Sequence, residues 1–367
     1  MSQPSPRTQT YFAQSYPDAR SNFLDAARQA GAEISSFRND HGSDPSGADL
    51  YTDVAWIAPS ASGPIVTLVS GTHGIEGFCG SACQVGFLRE ELFAEAPEGT
   101  GLLLVHALNP YGFAHERRVN EDNVDLNRNF VDHSDPPRNP VYDTLHEALV
   151  PAVWGGREQR AADRSLGKIA GEHGLRYVQE AVTGGQYLHP DGLFYGGTEP
   201  VWSHRLLRSI ARDFLAGDRR IAYIDLHTGL GPRGYGEPIF RGGRDQDALA
   251  RARSWYGPAL TQSENGTSSS TPIIGNTASS IADELDADQQ LTAITLEFGT
   301  LPGIAVLDAL RADNWLYLQS EPEAGHVKEI KQAIREAFYP PDPEWREAVW
   351  TRAQEVFRQA FAGLAKG

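Results

Sequence analysis

Short apolar runs of strand length and longer stretches with helical spacing alternate along this 367-residue chain, and that alternation constrains its fold more than any other feature. Residues 53–57, 65–70, 102–107, 221–226 and 291–296 read as strands, and the Leu-Leu-Leu-Val run in the third suits a strand covered on both faces. Residues 20–34, 82–92, 205–215, 304–318 and 327–338 instead carry apolar side chains at helical intervals, as at Phe23, Leu24, Ala27 and Ala30. Strand and helix by turns imply an α/β fold, with one mixed, mostly parallel twisted sheet and helices on both faces.

Asp135-Pro136-Pro137 and Pro340-Pro341-Asp342-Pro343 are too short to be flexible linkers, so residues 1–367 read as a single domain. Its expected core runs from about 50 to 338, after a helical N-terminal segment over 1–45 and before an amphipathic helix over 343–365. The apolar face of that last helix, Trp345, Val349, Trp350, Ala353, Val356 and Phe357 among others, is expected to pack on the body or on a second subunit of a homo-oligomer. The tract Glu-Asn-Gly-Thr-Ser-Ser-Ser-Thr at 264–271 reads as a mobile loop.

Charge and cysteine usage narrow the function classes. Thirty-two Lys and Arg against 48 Asp and Glu give a net charge of −16, which argues against nucleic-acid and anionic-membrane partners. No apolar run approaches the roughly 18 residues of a spanning helix, and the N-terminus lacks the pattern of a secretory signal. Cys79 and Cys83, four apart in a helical stretch, read as buried free thiols, in keeping with a cytoplasmic protein.

Four segments carry candidate chemistry. Gly71-Thr72-His73-Gly74-Ile75-Glu76-Gly77 follows a buried strand, so an imidazole and a carboxylate three apart can turn toward one cation. The plainer alternative is that Glu76 favours the N-terminal dipole of the following helix. His227 closes a second apolar strand; with His73 and Glu76 it would complete a two-histidine, one-carboxylate zinc set, and otherwise it is a structural histidine. Arg118-Val119-Asn120 and Val124-Asp125-Leu126-Asn127-Arg128-Asn129-Phe130 put two guanidinium forks in one loop region, suited to a substrate carboxylate or an oxyanion. Ion pairs with Glu116, Glu121 and Asp122 on a solvated loop would account for them equally. Glu297 ends the apolar strand of the C-terminal half, where a carboxylate is costly unless paired or working, either as a general base or as an acceptor of backbone N–H groups.

Taken in order, H-x-x-E, R-x-N-x-x-x-V-D-L-N-R-N-F, a strand-end His and a strand-end Glu resemble the zinc metallocarboxypeptidase superfamily, which includes the succinylglutamate desuccinylase and aspartoacylase deacylases. The likeness spans about residues 64–300 and lies nearest a branch described as a domain of unknown function. It implies one Zn²⁺ per chain held by His73, Glu76 and His227, with Asp125 supporting the first histidine. It also implies Glu297 as the general base, Arg118 as the group that polarises the scissile carbonyl, and Asn127 with Arg128 as the pair that captures a terminal carboxylate. The implied reaction is hydrolysis of an amide bond beside a free carboxylate, in a small peptide or an N-acyl amino acid. A non-catalytic binding protein on the same fold is the alternative from another class. Digestive-type carboxypeptidases carry a mobile tyrosine a little over twenty residues before the base; residues 272–283 contain none and position 275 is Gly275, leaving Tyr195 and Tyr235 as candidate substitutes.

Overall fold

The computed structural model describes residues 4–61, 63–217, 219–286 and 288–366. Its strands are β1 (Glu33–Ser43), β2 (Asp49–Ile57), β3 (Ile65–Val69), β4 (Gly101–His106), β5 (Arg220–Arg233), β6 (Gly236–Phe240) and β7 (Gln290–Gly299). Among the described residues they form one sheet in the order β1-β2-β4-β3-β5-β7-β6. The central four, β4, β3, β5 and β7, are parallel, whereas β1, β2 and β6 pair antiparallel at the two margins.

Side-chain alternation divides the core into two layers. Val66, Leu68, Leu102, Leu104, Ala222, Ile224, Ile294 and Leu296 face one side, under helices Tyr16–Gln29, Gly77–Arg89, Gln246–Tyr256 and Pro343–Ala365. Ile65, Val69, Leu103, Val105, Ile221, Tyr223 and Ala293 face the other, under Trp202–Phe214 and Thr277–Asp283. Both faces of the central strands are therefore dry, which is why those strands are near-continuous apolar runs.

The helix Pro343–Ala365 packs on the body of its own chain, burying Trp345, Val349, Trp350, Ala353, Val356 and Phe357. Each of the larger of these side chains contributes roughly 1.5–3 kcal/mol. The segment leading into it straps the carboxyl ends of the sheet. Thr228 Oγ1 donates to Phe338 O (2.8 Å), Thr300 Oγ1 to Ala337 O (2.6 Å) and Trp345 Nε1 to Gly299 O (2.9 Å). Tyr339 OH reaches back to Ala13 O (2.9 Å) and ties the strap to the start of the chain.

Several expectations need correction. The segment 1–45 is not helical throughout: the helix ends at Gln29, Gly31 takes a positive φ of 75°, and β1 follows. As a margin strand β1 is mostly exposed and polar, so it lacks the apolar alternation that marks a strand. The helix expected from residue 82 begins at Gly77, because glycines dominate its first turns where the backbone packs closely; a Cβ on Gly80 would sit 2.7 Å from Ser70 Cβ. Three helices, Pro140–Leu149, Gly156–His173 and Leu175–Thr183, fill a stretch whose apolar pattern is thin, the middle one burying only Leu166. The tract 264–271 is pinned rather than loose: Ser269 N and Oγ both donate to Glu237, and Ser268, Ser270 and Thr271 are buried. Cys79 and Cys83 are free and buried, as expected. No helix among the described residues is long and apolar enough to cross a membrane.

Candidate metal centre and active site

The carboxyl ends of β3, β5 and β7 meet at one cavity of about 490 Å³. His73 and Glu76 reach it from the turn between β3 and the helix Gly77–Arg89, and His227 from β5. In the β5–β7 register His227 lies opposite Glu297. Strand periodicity then puts Asp225, His227, Thr295 and Glu297 on one face, at the end where the apolar layer stops.

The three expected metal ligands converge. His73 Nδ1 lies 2.9 Å from Glu76 Oε1, and His227 Nδ1 lies 2.8 Å from Glu76 Oε2 and 3.1 Å from His73 Nδ1. The opposite nitrogens are also fixed: His73 Nε2 donates to Asp125 Oδ1 (3.1 Å) and His227 Nε2 to Asp225 Oδ2 (2.9 Å). With each Nε2 held by an aspartate, both Nδ1 atoms face the Glu76 carboxylate, and a cation displacing their protons would find the tautomer it requires. Two imidazole nitrogens and a carboxylate within 4.8 Å of one another fit zinc by ligand type and by orientation. Although Glu76 is the residue before the helix, its side chain makes no capping bond there and turns to His73, His227 and Arg118 instead.

The electrostatics agree with an incomplete charge balance. Burial opposes ionisation of Glu76, but His73 and His227 outweigh it and hold that carboxyl well below the usual range. Burial likewise opposes a charged His227, yet Asp225 and Glu76 push it up to about 10. Glu297 is raised to about 7 by burial and then by the Glu76 charge, against the pull of His227, the Leu230 N–H and Arg118. That N–H bond, 3.0 Å to Glu297 Oε1, comes from the irregular end of β5. A carboxyl titrating near neutrality inside a cavity suits acid–base work.

Arg118 donates to Asp125 Oδ2 through Nε (2.9 Å) and to Glu76 Oε1 through Nη1 (3.1 Å), so it is anchored at the ligand set rather than on a solvated loop. Asn127 lines the cavity, but its Oδ1 already accepts from Thr277 N (3.1 Å). Arg128 lines it too, with Nε and Nη2 on Thr183 O (3.0 and 2.5 Å) and Nη1 on Asn127 O (2.8 Å). Two of its N–H groups remain for a ligand. Burial lowers its pKa to about 10 despite Asp125 nearby.

Neither tyrosine is among the cavity residues. Tyr195 is buried in the apolar layer, and Tyr235 is an exposed side chain under Arg352. Phe194, which the sequence reading did not single out, does line the cavity, at a left-handed φ of 52° and beneath the guanidinium of Arg118 (5.0 Å). Asp225 and Arg241 were also missed as site residues. Asp225 had a signal: two positions before a strand-end histidine, it must share that histidine's face. Arg241 had none, because its distance from the other motifs in sequence hides its place on the wall.

The fold is that of carboxypeptidase A. The Helicoverpa armigera enzyme matches with a TM-score of 0.50 and 14% identity over 96% of this chain and 74% of that one. Thrombin-activatable fibrinolysis inhibitor matches at 0.51 and 13%, over 99% and 78%. Within that fold the chain belongs to the family described as a protein of unknown function, DUF2817, whose model matches residues 12–352. No curated protein matches its sequence.

Proposed function

We propose that the chain is a zinc-dependent hydrolase of the carboxypeptidase type, cleaving an amide bond beside a free carboxylate. The observation that carries this reading is the convergence of His73 Nδ1, His227 Nδ1 and the Glu76 carboxylate in a cavity shared with Glu297. His73, Glu76 and His227 would hold the ion. When bound, zinc supplies Lewis acidity, polarising a carbonyl and acidifying water. Glu297 takes the proton from the attacking water and returns it to the leaving nitrogen, for which a pKa near neutrality is suited. Arg118 places a fixed positive charge where the carbonyl oxygen gains negative charge. Asn127 and Arg128 hold the free carboxylate, Arg128 through the two N–H groups not given to backbone.

The cavity volume of about 490 Å³ favours a small substrate, which also supports a second reading: deacylation of an N-acyl amino acid at the same centre. Mass spectrometry of zinc-loaded protein incubated with dipeptides, N-acyl amino acids and their C-terminal amides separates these. Hydrolysis of the free acids and at least a tenfold loss on amidation is the expected result. Equal turnover of acid and amide would remove the carboxylate from the reading, and no turnover of any would remove the hydrolase.

A further inference from the structure

The cavity wall holds a cation for which the reading above has no task. Arg241 directly follows β6, and its backbone N–H is fixed to Ala293 O of β7 (3.0 Å). Its guanidinium is bonded to hydroxyls alone: Nε donates to Thr295 Oγ1 (3.0 Å), Nη1 to Ser263 Oγ (3.3 Å) and Nη2 to Ser270 Oγ (3.3 Å). Among the described residues no carboxylate oxygen lies within 4.0 Å of it. Arg118, by contrast, is paired with Asp125 and Glu76, and Arg128 lies 3.9 Å from Asp125. Burial depresses the pKa of Arg241, and the more distant charges of Glu297, Glu264, Asp225 and Glu237 offset part of that. Hydroxyls satisfy the guanidinium's geometry but not its charge, and a guanidinium drawn from water without a counter-charge is costly. The missing partner is an anion.

The place of Arg241 says which anion. Thr295 and Glu297 are two apart on β7 and share a face, so the Arg241 head lies about 7 Å along the strand from the base. That is side-chain reach from a leaving nitrogen held at Glu297. We propose that Arg241 is a specificity-determining residue that reads a second carboxylate, on the side chain of the leaving residue, so that the favoured substrates end in glutamate or aspartate. This rests on the hydrolase reading and names its substrate class. The Thr295 hydroxyl, now an acceptor for Arg241, is placed to donate to the same carboxylate, and that of Ser270 would do so by giving up its bond to Thr271 O (3.1 Å).

The test is kcat/KM of zinc-loaded protein on acetyl-Phe-Glu, acetyl-Phe-Gln and acetyl-Phe-Leu, with Arg241→Gln and Arg241→Lys beside the parent. Glu should be preferred at least tenfold over Gln and Leu. Arg241→Gln should lose ten- to a hundredfold on Glu while Leu changes less than threefold, and Arg241→Lys should recover part of the loss. Calorimetry on zinc-loaded Glu297→Gln protein gives a readout free of turnover: N-acetylglutamate should bind at least tenfold tighter than N-acetylglutamine. Cleavage of Leu as fast as Glu overturns this inference and leaves the hydrolase standing. An equal loss on all three substrates in Arg241→Gln also overturns it, since Arg241 would then serve the terminal carboxylate or the fold. Cleavage of none removes the hydrolase first, and equal binding of the two acetylated amino acids then removes this inference separately.

Discussion

Two histidines and a carboxylate come together twice among the described residues, at His73, Glu76 and His227 and again at His146, His189 and Asp191. Composition hardly distinguishes them; geometry does. In the first cluster the imidazole planes are inclined at 65°, and each distal nitrogen is held by a buried aspartate. In the second the rings stack at 4.0 Å and 19°, with His189 Nε2 on Asp143 (3.0 Å) and His146 Nε2 3.5 Å from Asp191. An imidazole lone pair lies in the ring plane, so nearly parallel stacked rings aim along parallel planes and cannot share one ion. The first cluster stands on the ends of parallel strands, the second on a surface helix and a loop. A metal centre is thus defined by the groups that orient the ligands, more than by the ligands themselves.

The hardest test of that contrast is the double variant His73→Ala/His227→Ala. Elemental analysis should fall from about one zinc per chain to almost none, with hydrolysis abolished; full metal content would move the centre elsewhere, the second cluster being the first suspect. Next in size, Glu297→Gln should keep the metal and lose roughly 10²–10⁴-fold in turnover, since an amide cannot carry the proton. Near-normal rates with zinc retained would mean that another group is the base. Asp225→Asn sharpens the argument about orientation, because it leaves all three ligands in place. Zinc affinity should weaken roughly 10–100-fold, measured by competition with a chelator, and an unchanged affinity would show that Asp225 only supports the strand. Smallest of all, His146→Gln/His189→Gln should leave zinc stoichiometry intact and kcat/KM within about twofold. Its signature is in acid instead. Burial and the neighbouring His189 lower the pKa of His146, so the fold favours its neutral form, and that contribution is lost as pH falls below the unfolded value of about 6.5. The parent's unfolding midpoint should therefore drop more steeply below pH 6.5 than the variant's, and parallel profiles would contradict this.

Much of this was legible in the sequence, for a physical reason that also sets the limit. Central strands dry on both faces must be apolar runs, so β3, β4, β5 and β7 announce themselves, and polar residues at their ends draw the eye to His227 and Glu297. The margin strand β1 and the surface helices obey no such constraint, and β6, though buried, opens Gly-Glu-Pro. β1 is half solvated, β6 is five residues long, and the helices over 140–183 bury few side chains, so their patterns dissolve into the background. The same limit governs the site. His73, Glu76, Asp125 and Arg118 lie in short motifs whose spacing can be read, whereas Arg241 meets Thr295 across 54 positions, a juxtaposition only the sheet creates. Asp225 was overlooked for a different reason: its motif was seen, and the strand's period of two was not applied to it.

The strap from Ala337 to Trp345 has a bearing on how the molecule comes into being. Every side chain of the candidate metal centre and the proposed base precedes it in the chain, yet the bonds that lock the ends of β5 and β7 come from Ala337, Phe338 and Trp345, and Tyr339 reaches over 326 positions to Ala13. These residues are made after all the others of the site, and the bond from Tyr339 to Ala13 closes a loop more than twice that between His73 and His227, at a larger entropic cost. On a ribosome the chain would carry a full set of reactive groups long before it could hold them still. On the proposed reading, then, hydrolysis is expected only once residues 337–345 have been made and can hold the ends of β5 and β7 in place.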